Sequence, residues 1–147
     1  MSRWLIRLVL VGAIVFVAIQ LVPYGRAHDN PPVTQGVEWQ GARTEQLFND
    51  ACADCHSNET EWPWYSNIAP QSWLIQRDVD AGREDLNLSE LDREQDEIKD
   101  LIEVIADDEM PPRRYTFLHP EARLSEAEKQ ALIDGIARTF GGEVDRD

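Results

Sequence analysis

Cysteine, methionine and lysine are scarce in this chain of 147 residues, with two of each: Cys52 and Cys55, Met1 and Met110, Lys99 and Lys129. Two cysteines exclude a disulfide-dense scaffold and a four-cysteine zinc site. No stretch sustains an apolar–polar alternation of period two, which speaks against a sheet-built domain. Glycine-rich phosphate loops and nucleophile elbows are absent too. Positive charge is outnumbered, 14 bases to 28 acids, and the net charge is −14. That balance argues against a nucleic-acid binder and against the whole domain docking on an anionic lipid surface.

What is present is unevenly spread. Residues 1–27 carry Arg3, Arg7 and Arg26 and no acid, leaving 11 bases and all 28 acids in residues 28–147, a net charge of −17. Leu8 to Val22 is 15 residues without a charge, and Trp4 to Tyr24 extends the apolar run to 21. A helix of that length reaches about 30 Å, the hydrocarbon thickness of a bilayer. Trp4 and Tyr24 stand at the ends as interfacial aromatics do, and Arg7 can snorkel. Residues 1–24 are therefore expected to be a transmembrane anchor. A cleaved signal peptide is the alternative, although Gly25-Arg26-Ala27 is a poor cleavage site. Arg3 and Arg7 keep the N-terminus cytoplasmic, so the remainder is exported to the periplasmic side of an inner membrane.

Residues 25–43 read as a linker, with Asn30-Pro31-Pro32, Gly36 and Gly41. Residues 44–142 read as an all-α domain and 143–147 as a tail. Thr44 is placed to cap a helix through Cys52, and Pro70 to open one that Gly82 ends. Ser89 and Asp92 resemble a capping box before a helix that buries Ile98, Leu101, Ile102 and Ile105. Ser125 and Glu128 cap the last helix, which stops at Gly141-Gly142. Such short helices bury little apolar area, a shortage that a large apolar cofactor would relieve.

Cys52-Ala53-Asp54-Cys55-His56 points to that cofactor. Two thiols at this spacing can each add to a vinyl group of one haem, and the following histidine becomes the proximal iron ligand. A dithiol redox site would need a βαβ setting, and half a zinc site would need a second cysteine pair. Met110 is the only methionine placed to be the sixth ligand, held between an acidic stretch and Pro111-Pro112. His119 is the rival and His28 a more distant one. Arg113 and Arg114 are candidates to pair with the haem propionates. Trp62, Trp64, Tyr65 and Trp73 are candidates for the wall of a porphyrin pocket. Asn58-Glu59-Thr60 matches a glycosylation sequon but lies too close to the haem motif to be read as one.

Beyond Cys52–His56, the chain contains Trp62-Pro63-Trp64-Tyr65-Ser66-Asn67-Ile68-Ala69-Pro70 with Ser72-Trp73-Leu74. It continues with Gly82-Arg83, Leu86-Asn87 with Ser89, Met110-Pro111-Pro112 with Tyr115, and His119-Pro120-Glu121-Ala122-Arg123-Leu124-Ser125. Over roughly residues 40–140 this resembles a family of small exported haem-binding domains with one Cys-x-x-Cys-His, often behind a single membrane helix. The resemblance implies one covalent haem c, a cytochrome-c-like helical fold and Met110 as distal ligand, and it places Tyr115 among the cofactor-binding residues. It implies no defined substrate. The leading expectation is a membrane-tethered one-electron carrier, not an enzyme, serving a redox protein partner. The alternative is a haem-based enzyme or gas or redox sensor with a displaceable distal ligand. The acidity fits a basic partner or a high-salt habitat.

Overall fold

The computed structural model describes residues 2–95, 98 and 100–141. Lys99, Gly142 and the expected tail 143–147 lie outside them. All regular structure among the described residues is helical: α1 (Arg3–Ile19), α2 (Ala42–Ala51), α3 (Ala53–His56), α4 (Gln71–Asp85), α5 (Leu101–Ala106), α6 (Arg113–Leu118) and α7 (Glu126–Phe140). Two 3-10 turns, Trp64–Asn67 and Pro120–Ala122, are also present. The only β pairing among them is a single bridge between Gln35 and Glu90.

The core forms where α2, α5 and α7 meet, from Leu47, Phe48, Leu101, Ile105, Leu132, Ile133 and Ile136. α2 starts at Ala42, two residues before the expected cap. Thr44 is instead buried in the first turn. It lies so close to Gly135 of α7 that any Cβ at 135 would collide with its side chain. The last helix is capped as expected: Ser125 accepts from Glu128 N, Glu128 returns the bond, and Gly141 closes the helix at φ 72°. α5 is shorter than its apolar spacing suggested. Ile98 precedes it yet packs on the same core. Ser89 and Asp92 do not cap it, because Ser89 is buried in a loop network and Asp92 accepts from the Thr34 hydroxyl at 2.6 Å. Nor does Gly82 end α4, which runs on to Asp85.

Two expectations for the N-terminal part need correction. The apolar run is not one helix from Trp4 to Tyr24. α1 has 17 residues, about 25 Å at 1.5 Å per residue. Among the described residues no helix is long and apolar enough to cross a membrane. α1 unwinds through turns at Leu21 and Val22 because Pro23 cannot continue it. Residues 3–18 are nevertheless all exposed, so this apolar helix has no protein cover.

The segment 25–43 is not a free linker but a strap bonded along the domain. Gly25 is buried with φ 77°, and any side chain there would strike the carbonyl of Ser72. Thr34 N donates to Ser89 O at 3.0 Å, and Leu91 N donates to Gln35 O at 2.9 Å. Trp39 packs on Phe48 and edge-on to Phe140, with centroids 5.0 and 6.2 Å away.

Candidate functional site

The site begins at the junction of α2 and α3. Cys52 leaves helical geometry at φ −129°, and its carbonyl accepts from the amides of Cys55 and His56 at 3.1 and 3.0 Å. This tight turn sets Cys52, Cys55 and His56 on the wall of one cleft. α4 crosses α3 at Gly82, where a Cβ would come within 2.6 Å of the Cys55 carbonyl oxygen. The glycine missed as a helix terminator is thus the point of closest backbone approach behind the cysteines.

Both cysteines are free thiols. Burial, and then the neighbouring thiol, push Cys52 up to about 12. Burial, Asp54 and Asp78 push Cys55 up to about 12 as well. This is opposite to the lowered thiol pKa of a dithiol oxidoreductase.

His56 is oriented by the loop after α4. Its Nδ1 lies 3.1 Å from the Leu86 carbonyl, which can only accept. Nδ1 therefore carries the proton, and Nε2 keeps the lone pair that a metal would use. The loop is locked to the histidine: Leu88 N donates to His56 O at 2.9 Å. Asn87 Nδ2 donates to Asn58 Oδ1 at 2.8 Å, and Asn58 N donates to Ser89 Oγ at 2.9 Å. Asn58 is 2% exposed and its amide nitrogen donates to Pro32 O and Glu90. The sequon is therefore a buried structural asparagine. Arg83 ties the strap to the same turn, donating to Ser57 O, Asp29 O, Asn30 and Thr60.

The cleft encloses about 980 Å³, counting its open mouth. It is also lined by Met110, Pro111, Pro112, Arg114, Tyr115 and His119, and by Tyr65, Ile75 and Val79. Met110 is half-buried, and its amide donates to Val104 O at 3.0 Å, so the end of α5 holds the loop. The prolines do not prolong an extended loop: α6 begins directly after Pro112.

His119 shares the cleft, but both its ring nitrogens already have partners. Nδ1 lies 3.1 Å from Tyr115 O, and Nε2 lies 3.3 Å from the Tyr65 hydroxyl. Its ring stacks on Tyr115 at 4.0 Å. His28 is outside the cleft, stacked on Trp62 at 4.7 Å with Nε2 near Ser66.

Four expected wall or propionate residues, Trp62, Trp64, Trp73 and Arg113, do not line the cleft; Trp62 is stacked on His28 instead. The 3-10 turn points Tyr65 inward, and the next position round, Trp64, is 77% exposed. On α4 the cleft face is Ile75, Val79 and Gly82, and Trp73 lies off that stripe. On α6, Arg114 and Tyr115 face the cleft and Arg113 faces solvent. Arg114 is itself engaged by Asp78 through two bonds of 3.0 and 2.8 Å.

One residue not foreseen joins α3 to α6. Asp54, between the cysteines, accepts from the Tyr115 hydroxyl at 2.8 Å and from Glu61 N at 2.8 Å. Burial and that carboxylate raise the Tyr115 hydroxyl far above its ordinary range. Nothing in the sequence pairs residues 54 and 115, which are 61 positions apart.

The donor set suits a haem: two reduced thiols, an imidazole with a free nitrogen and a thioether around one largely apolar cleft. The family described as "Haem-binding domain" matches residues 14–138 of the chain. No curated protein and no solved structure matches it.

Proposed function

Because the chain belongs to the haem-binding domain family, we propose that it binds one covalent haem c and acts as a membrane-tethered carrier of single electrons, not as an enzyme. The observation that carries this reading is the convergence of Cys52, Cys55, His56 and Met110 on one cleft. A haem held there supplies a one-electron iron couple. Each residue has a distinct part. Cys52 and Cys55, both reduced, would hold a haem by adding S–H across its two vinyl groups, which needs no oxidant. His56 offers Nε2 because Leu86 O holds the proton on Nδ1. Met110 offers a neutral, soft sulfur that favours the ferrous state. With His56 and Met110 both available as ligands, a haem held here would have no open site for a substrate, which suits electron exchange.

α1 supports the membrane part of the reading. Its exposed apolar length is costly in water and favourable in lipid. Its shortfall against the bilayer is met by local thinning and by snorkelling of Arg3 and Arg7. The positive-inside rule then puts the haem domain on the periplasmic side.

The test is the absorption spectrum of the full chain in both oxidation states, with acid–organic extraction. Retained haem, a low-spin iron spectrum and a weak near-infrared sulfur-to-iron band are expected. Met110→Ala should abolish that band and admit carbon monoxide, and His119→Ala should preserve it. Complete extraction of haem from the wild type would overturn covalent attachment. Loss of the band in His119→Ala alone would overturn the ligand assignment.

A further inference from the structure

The end of α1 is fastened to the haem domain, not hung from it. Gln20, its C-cap residue, donates from Nε2 to Ala69 O at 2.9 Å and accepts from Ala69 N at 3.0 Å. This closes a two-bond ring with the backbone of the turn after Trp64–Asn67. Arg26 Nη2 donates to the same Gln20 oxygen at 3.0 Å. Beyond it Gly25 is buried against Ser72, and His28 Nε2 lies 2.9 Å from Ser66 Oγ. A free tether would show none of these bonds. The family match itself starts at residue 14, inside α1, and so spans the junction.

Exposed apolar side chains flank the clamp in sequence on both of its partners. Leu21 is 82% exposed and Val22 43%, directly after Gln20. Trp64 is 77% exposed and Ile68 37%, in the segment that leads into Ala69. Single exposed apolar residues are ordinary. Here two of them follow α1 directly and two lie within five residues of Ala69, the residue bonded to the helix's C-cap, while residues 3–18 of that apolar helix are all exposed. Tryptophan is enriched at the depth where hydrocarbon meets headgroups.

We propose that the haem domain is seated on the bilayer surface through the rim of Leu21, Val22, Trp64 and Ile68, held at a fixed orientation by the Gln20–Ala69 clamp. The occupant of this rim is the interfacial layer of the same membrane that holds α1, so the proposal rests on the membrane reading of α1. The acidic remainder of the domain stays clear of the lipid, which confines contact to the apolar rim. Tyr65, adjacent to Trp64, lines the haem cleft. The seat therefore keeps that cleft wall beside the headgroups, where a membrane-bound electron partner meets it.

The test uses the haem-loaded full chain in phosphatidylcholine–phosphatidylethanolamine vesicles, with a photo-cross-linking benzophenone residue placed singly at positions 10, 64, 68 or 126. Lipid adducts read by mass are expected at 10, 64 and 68 and not at 126, on α7. Gln20→Ala should lower the adduct yield at 64 several-fold and leave that at 10 and the haem spectrum unchanged. Lipid labelling at 10 with yields at 64 and 68 no higher than at 126 would overturn the seat and leave the anchor standing. No labelling at 10 would overturn the anchor and the seat together. Cross-links from 64 to a second copy of the chain would make the rim a protein interface and overturn the proposal. An unchanged yield at 64 in Gln20→Ala would overturn the clamp.

Discussion

Single residues set the geometry of the cleft more by excluding alternatives than by adding strength. Gly82 lets the backbones of α3 and α4 approach, and the group it would strike is a carbonyl, not a movable side-chain tip. Gly82→Ala should therefore cost about 1–3 kcal/mol of stability through forced separation of the helices. It should also reduce the fraction of chain carrying haem, since Cys55 and His56 move with α3. Thermal melts and haem stoichiometry of the purified variant check both. His119 shows the same logic from the other side. The sequence made it the rival sixth ligand, but Tyr65 and Tyr115 hold both ring nitrogens. Binding iron would break one of those bonds, whereas the Met110 thioether gives up little by coordinating.

At the scale of elements, the distal segment is held by contacts at each end. Val104 O fixes Met110, and Asp54 fixes Tyr115. Tyr115→Phe removes a hydrogen bond to a carboxylate, worth about 1.5–3 kcal/mol. The variant should keep its covalent haem but bind carbon monoxide more readily than the wild type, because α6 no longer braces the Met110 loop. A carbon monoxide titration measures this, and an unchanged affinity would show that the brace is idle. The cap of α7 predicts a pH effect. The Ser125 backbone and side-chain hydrogen bonds, then Arg43, hold Glu128 below its ordinary value of 4.5. A carboxyl whose folded pKa is lowered stabilises the fold above its unfolded pKa, and that contribution is lost as pH falls through the folded one. Wild type should thus lose stability below about pH 4.5 more steeply than Glu128→Gln in pH-resolved melts. Ser125→Ala should cost about 1 kcal/mol at neutral pH.

The whole molecule is a cation-poor domain joined to an acid-free helix. Residues 28–147 carry a net charge of −17, and exposed pairs such as Arg114–Asp78 neutralise little of it. A field of that sign speeds encounter with basic partners and slows it with acidic ones. Electron exchange with a cationic test protein should be fastest at low salt. It should slow as ionic strength approaches about 0.15 M, where the screening length is about 8 Å. Stopped-flow reduction across that range is the measurement, and a salt-independent rate would remove the acidity from any role in partner choice.

Local signals in the chain were enough for the helical class, the Ser125–Glu128 cap, the Gly141 stop and the haem motif itself. Each depends on residues within one or two turns, where spacing alone sets the geometry. The gathering of Cys52, Cys55, His56, Met110 and Tyr115 on one cleft, and the exclusion of Trp64, Trp73 and Arg113 from it, were decided by the fold. Adjacent residues on one turn point in different directions, and only packing selects which of them faces inward. The linker that became a strap has the same origin: proline and glycine show where the chain bends, but not what its backbone bonds to. Pairs such as Gln20–Ala69 and Asp54–Tyr115 join residues 49 and 61 positions apart. Hydrogen bonds over such separations leave no periodicity in the sequence, and they exist only once the tertiary structure has brought their partners together.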